Sequence, residues 1–221
     1  MKIAVAIIAI FCARFLTDAW FYTGRDGDLV WQHVLGTYVL HAHHLPQKLG
    51  HETFTSPGAR WIPQEWFFSV GVAWFSSVHR FAVLAILTTG AAAGALVLTA
   101  YRSQRRGASV FANVLCTACT GFAMLQAFGV RAQIFGWLCL AIALLLLDIE
   151  TDWIFLVIPV VALWANIHAS AMIAPVFVAA WAFGTWIEDR AWNPRVERNF
   201  ILAFGSAVAV CLTPLLWKLP L

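Results

Sequence analysis

Residues 81–100 read FAVLAILTTGAAAGALVLTA, a run without a charged side chain. At the 1.5 Å rise of an α-helix, about 20 residues measure about 30 Å, the thickness of a bilayer's hydrocarbon core. The stretch predicts a membrane helix. Similar apolar segments recur at 3–22, 66–78, 108–128, 133–147, 153–165, 169–187 and 200–217. Across all 221 residues, 62% are hydrophobic and 11% charged. Soluble domains carry roughly 45–50% and about 25%. One soluble core could not hide that much apolar surface. The expected fold is all-α, a polytopic transmembrane helical bundle of about 7–8 apolar segments. The whole chain, 1–221, reads as a single membrane domain.

Between the first two apolar segments lies a polar loop, 23–64, with Asp26, Asp28, Glu52 and five of the seven His residues. Within it, 29–44 has apolar residues at 30, 31, 34, 35 and 39, a helical spacing. This predicts a short amphipathic helix along the membrane surface. TFTSPGAR at 53–60 predicts a turn. The first apolar segment, interrupted by Arg14, reads as a retained helix and not a cleaved signal, because no small-x-small cleavage site follows it.

The formal charge of +3 comes from clusters at Arg102, Arg105 and Arg106 and at Arg190, Arg195 and Arg198. Such clusters speak to membrane orientation and not to nucleic acid. If 66–78 dips in without crossing, both clusters and Lys2 fall on one side, and the loop, Arg131 and His168 on the other. The loop is then non-cytoplasmic. The five Cys all lie in apolar stretches. Cys116 and Cys119 form a CxxC without a second pair, so small buried helix residues are expected and a redox site is not.

Several polar groups sit at the ends of apolar segments. Asp26-Gly-Asp28 is a carboxylate pair that can hold a divalent cation or supply a general base, or can be two solvated loop acids. Glu65 stands between Trp61 and Trp66, where a carboxylate also suits a helix N-terminus. Arg131-Ala-Gln133 offers a planar fork to a phosphate, or a side chain that snorkels to the interface. Trp164-Ala-Asn166-Ile-His168-Ala-Ser170 is a polar island, facing either a cavity or a neighbouring helix. The loop His residues do not share one helical face and lack a Cys partner, so no metal site is assigned to them.

The order of these features carries more than any one of them. Asp26, Asp28, Trp31 and Gly36 come first. Pro46, Thr53, Phe54, Thr55, Gly58, Trp61, Glu65 and Trp66 follow, then Arg131 with Gln133 and Trp164 with Asn166 and His168. In this pattern the chain resembles a family of bacterial polytopic membrane proteins related to GT-C-type, polyprenyl-phosphate-dependent glycosyltransferases. The resemblance runs from about residue 20 to 187. It departs at Gln32, where a His is common, and at Gly50-His51-Glu52, where an Asp is expected. The chain is also expected to be a shortened member.

The resemblance implies transfer of a sugar from a polyprenyl-phosphate donor to an acceptor outside the cytoplasm, in a bacterial inner membrane. It implies Asp28 as catalytic base with Asp26 as its partner, and an optional divalent cation shared by the two. Glu65, Arg131, Gln133, Asn166 and His168 become the substrate-binding set. The partners implied are the lipid bilayer and a polyprenyl-phosphate-linked sugar. The competing reading is a non-catalytic polytopic membrane protein: a transporter, an assembly subunit or an inactive relative. No internal repeat of the kind transporters show is visible.

Overall fold

The computed structural model describes residues 2–22, 27–50, 57–76, 81–149 and 151–214. The described residues are all-α. The helices are α1 (Lys2–Tyr22), α2 (Gly27–Ala42), α3 (Trp66–Phe75), α4 (Phe81–Arg105) and α5 (Val110–Leu125). They continue with α6 (Ala132–Leu147), α7 (Val157–Ile167), α8 (Ala174–Asp189) and α9 (Pro194–Val210). Single 3-10 turns, Asp152–Leu156 and Ala169–Ile173, lead into α7 and α8. Asp26, Thr53, Phe54 and Thr55 lie outside the described residues, as does the first half of the predicted turn, 53–56.

Three helices are long and apolar enough to cross a membrane by length and composition: Ile3–Phe21, Phe81–Arg105 and Ala169–Asp189. The expectation of seven or eight spans is corrected to these three. Val110–Leu125, Ala132–Leu147 and Asp152–Ile167 are helical and apolar but shorter. A helix of 16 residues, such as α6, measures about 24 Å, short of a hydrocarbon core. Trp66–Phe75 has 10 residues and packs against α2. The expected segment 200–217 begins earlier, because the Asn193 side chain caps the backbone N–H of Val196 and starts α9 at Pro194. Arg14 has a partner within its own helix: Asp18 lies one turn on, 3.0 Å away. Pairing lowers the cost of a charge on an apolar helix.

Alternation of direction organises the bundle. Phe11 and Phe15 of α1 meet Phe122 and Phe128 at the end of α5, so these two helices run parallel. The Asn113 side chain of α5 donates to the Ala100 carbonyl of α4, joining the end of one helix to the start of the next. Ala19, Leu84, Ala85, Val130, Ala132 and Ile167 share one apolar cluster, with Leu29, Phe68 and Val72 of α2 and α3. This cluster marks one end of the molecule, here the site end. The other, the arginine end, gathers Arg105, Asp148, Trp181 and Arg198. Helices α1 and α4–α9 run back and forth between the two ends. The α2–α3 pair stays at the site end.

Gly36 sets the α2–α3 contact. A Cβ there would lie 1.9 Å from the Ser69 carbonyl oxygen and 2.8 Å from the Ala73 Cβ. Only glycine lets the two backbones approach so closely. The buried face of α2 is Leu29, Leu35 and Gly36, while Val30 and Val34 are exposed. The predicted helix is present; of its apolar stripe, Leu35 faces inward and Val30 and Val34 face outward. After α2, Lys48 pairs with Arg60 in a single antiparallel bridge. Beside the bridge, Gly58 adopts φ 79°, a left-handed value that suits glycine.

Candidate functional site

Four helix ends bring the polar residues together at the site end. Asp28 lies in the first turn of α2, and Glu65 immediately precedes α3. Arg131 immediately precedes α6 in extended backbone. His168, also extended, separates α7 from the following 3-10 turn. The two carboxylates thus stand at helix N-termini, where the backbone dipole favours negative charge. All four line one pocket of about 280 Å³, with Gln32 and Gln133.

Asp28 Oδ2 lies 3.2 Å from an Arg131 guanidinium nitrogen, and both side chains are substantially exposed. Glu65 Oε1 lies 3.2 Å from His168 Nε2. Gln32 donates from Nε2 to Glu65 Oε2, and the Ser69 hydroxyl hydrogen-bonds to Gln32 Oε1. Asp28, Gln32 and Gly36 recur at i, i+4 and i+8, which puts them on one face of α2. That face therefore carries an ion-pair partner, a carboxylate partner and a point of backbone contact.

His168 Nδ1 accepts the backbone N–H of Ser170 at 3.1 Å and faces the Ser170 hydroxyl at 2.7 Å. Ser170 Oγ in turn accepts Trp164 Nε1–H at 3.0 Å. With Nδ1 engaged as acceptor, the neutral ring carries its proton on Nε2, toward Glu65. Gly136 of α6 leaves room for this arrangement: a Cβ there would meet Trp164 Nε1 at 2.8 Å and Ser170 Oγ at 3.2 Å. Burial pushes His168 below its ordinary value of 6.5. Burial pushes the Glu65 carboxyl up from 4.5; the Gln32 hydrogen bond opposes this, Asp28 adds to it and Arg131 opposes it. Both groups are displaced toward their neutral forms.

Two predicted residues take other roles. Asn166 does not line the pocket. It accepts Trp66 Nε1–H at 3.0 Å and donates to the Ala162 and Leu212 carbonyls. It thereby ties α3, α7 and the end of α9 together behind the site. Gln133 lines the pocket, yet its amide donates to the Ala127 carbonyl at 2.8 Å and braces the turn before α6. Ser69 escapes a reading of motifs, and Gln32 enters one only as a departure. The signal for Gln32 is its position one turn beyond Asp28 and one turn before Gly36. Asp148 is also missed, because nothing near it in sequence announces its arginine partners.

Among the described residues, no three His, Cys, Asp or Glu side chains gather in a way that could hold a metal ion. Asp28 faces a guanidinium, and the proposed partner Asp26 lies outside the described residues. The described residues by themselves do not supply a cation's donor set. The chain matches no family model, no curated protein and no solved structure.

Proposed function

We propose that the protein is a bacterial inner-membrane glycosyltransferase of the GT-C type. Its donor is a polyprenyl-phosphate-linked sugar and its acceptor lies outside the cytoplasm. The observation that carries this reading is the meeting of Asp28, Glu65, Arg131 and His168 around one pocket. In sequence they are separated by up to 140 positions, 168 − 28.

In this reading Asp28, the more exposed carboxylate, accepts the proton of the acceptor hydroxyl. The acceptor oxygen bonds to the sugar's anomeric carbon as the bond from that carbon to the phosphate oxygen breaks. The electron pair leaves with the polyprenyl phosphate. Arg131 offsets the charge that develops there, since its fork suits phosphate as well as carboxylate. The donor phosphate exchanges with Asp28 for Arg131, which frees the base when substrate arrives. Glu65 and His168 hold the sugar's hydroxyls.

A second reading is a non-catalytic membrane protein. Its support is that Asp28 and Glu65 each already have a partner, in Arg131 and His168, as a structural network would require. One experiment separates the two. Purified full-length protein in lipid nanodiscs is incubated with a panel of polyprenyl-phosphate sugars, and released polyprenyl phosphate is quantified. The enzyme reading expects consumption of at least one donor by the wild type and none by Asp28→Asn. Stability of every donor favours the non-catalytic reading.

A further inference from the structure

The loop between α2 and α3 walls a second concavity at the site end, of about 550 Å³. Trp31, Val34 and Tyr38 line it from α2, and Gln47, Lys48 and Trp61 from the loop. The three α2 residues recur at i, i+3 and i+7, so they share one helix face over about 10 Å. Backbone hydrogen bonds hold the loop wall. Trp61 N–H donates to the Gln47 carbonyl at 3.0 Å, Leu49 N–H to the Ala59 carbonyl at 2.8 Å and Gly58 N–H to the Leu49 carbonyl at 2.8 Å. This frame sets Trp61 against Trp31, with ring centroids 5.3 Å apart and ring planes 50° apart. The two rings therefore form a corner and not a flat stack. Gln47 and Lys48 are exposed beside it. A further concavity, of about 840 Å³, shares Trp61, Gln47 and Lys48 and continues past Arg60.

Aromatic rings carry negative charge on their faces. A pyranose offers the complement, a face of weakly positive C–H groups edged by hydroxyls. A few polar groups set in a mostly apolar and aromatic wall orient such a ligand. Gln47 and Lys48 are placed to meet the hydroxyls while the rings take the C–H face. A polyprenyl chain suits this wall poorly, because it would cover polar side chains with hydrocarbon. Tryptophan also anchors proteins at membrane surfaces, but an anchor has no need of a corner made by two rings. Trp31 joins the concavity to the site already described. It lines the pocket of Asp28, Glu65, Arg131 and His168 as well, and it stands one turn after Asp28 on α2.

We infer that the corner of Trp31 and Trp61 binds a saccharide, and that the acceptor of the transfer is a glycan. Its terminal ring sits on Trp31, next to the Asp28 carboxylate, and the following rings lie on Trp61 and Tyr38 along α2. The donor also carries a sugar, but one tied to a chain that the polar wall does not suit. The acceptor role rests on the transferase reading proposed above. The saccharide site itself does not.

The test uses full-length protein in lipid nanodiscs, prepared without glycoside detergents, which would compete for the site. The probes are linear tetrasaccharides of glucose, mannose, galactose and N-acetylglucosamine, titrated and read by saturation-transfer difference NMR. At least one is expected to bind, with transfer strongest at its ring C–H protons. Trp61→Ala is expected to weaken that binding on the order of tenfold, the size of one lost aromatic contact. Trp61→Phe keeps a ring face and should retain most of the affinity. Trp153→Ala is the control. Trp153 is exposed in the 3-10 turn before α7, at the arginine end, and its loss should leave binding unchanged. Failure of every tetrasaccharide to bind overturns the saccharide site, as does a Trp61→Ala variant that binds like wild type. Equal losses in Trp61→Ala and Trp61→Phe overturn the stacking. The polyprenyl-phosphate sugars are titrated against the same variants. Their binding is expected to survive Trp61→Ala, and its loss there overturns the acceptor assignment in favour of the donor's sugar. Tetrasaccharide binding with every donor left intact in the turnover assay defeats the transferase reading and leaves the saccharide site. Turnover without tetrasaccharide binding defeats this inference alone.

Discussion

Arg131 and Asp148 stand at opposite ends of α6, one bound to Asp28 and the other to Arg102 and Arg106. The 16 residues between them span about 24 Å. One apolar helix thus separates a mixed acidic and basic site from a basic one. Proteins that cross a membrane distribute charge in this way, with arginine-rich loops kept cytoplasmic.

The first prediction is topological. Gln104→Cys lies at the arginine end and Gln47→Cys at the site end, both exposed. In intact cells, with the native cysteines replaced, a membrane-impermeant maleimide is expected to label Gln47→Cys. Gln104→Cys should react only after permeabilisation. Equal labelling of both positions from outside would contradict the orientation.

Glycine packing gives the second. At Gly36 a methyl group would meet the Ser69 carbonyl oxygen at 1.9 Å and its carbon at 2.4 Å, backbone atoms that cannot rotate aside. Gly36→Ala is expected to destabilise by roughly 1–3 kcal/mol, the usual cost of overpacking. At Gly71, on α3, nothing lies within 4 Å of the added carbon. Gly71→Ala is expected to be neutral or to stabilise by roughly 0.5–1 kcal/mol through helix propensity. Thermal unfolding in detergent ranks the two, and similar losses at both positions would refute the close contact.

Asp28→Asn supplies the third. The Asp28–Arg131 pair is substantially exposed, so its removal should cost no more than about 1 kcal/mol of stability. Loss of a general base costs roughly 10²–10⁴ in rate. The expected variant inserts and folds normally and has lost donor turnover. Near-normal turnover would remove Asp28 from the catalytic role.

The fourth concerns pH. Glu65 is raised above 4.5 in the folded state, so its favourable contribution is present below that value and lost as pH rises through the folded one. His168 is lowered below 6.5, so its contribution is present above that value and lost as pH falls through the folded one. The two pull in opposite directions. Glu65→Gln deletes the first of these effects. The melting temperature of the variant relative to wild type should therefore be higher at pH 8 than at pH 4, by about 2–4 °C if the effect is near 1 kcal/mol. A difference that does not change with pH would show that the Glu65 carboxylate is not held against its charge.

Helix content was legible because long apolar runs leave the backbone one way to satisfy itself. The number of spans was not, because an apolar run of 16 residues, as in α6, has the composition of a span without its length. The convergence of Asp28, Glu65, Arg131 and His168 was legible from their shared place at the ends of apolar segments. Their individual pairings were not, since Asp28 could have faced water, Glu65 or Arg131 equally well from its sequence. The close contact of α2 with α3 was not legible, because it depends on Gly36, a residue with no side chain to count. Asn166 was placed in the site by motif, and its three hydrogen bonds to α3, α7 and the end of α9 make it a fastener.

The chain from Trp164 through Ser170 and His168 has a polarity. The indole N–H can only donate, so Ser170 receives from it and passes its own hydrogen on to His168, which turns its Nε2–H toward Glu65. Gln32 delivers a second hydrogen to the same carboxylate from the opposite flank. Every arrow ends on Glu65. A hydroxyl settling beside that carboxylate finds an acceptor there, whereas an ether oxygen in the same place faces the carboxylate oxygens.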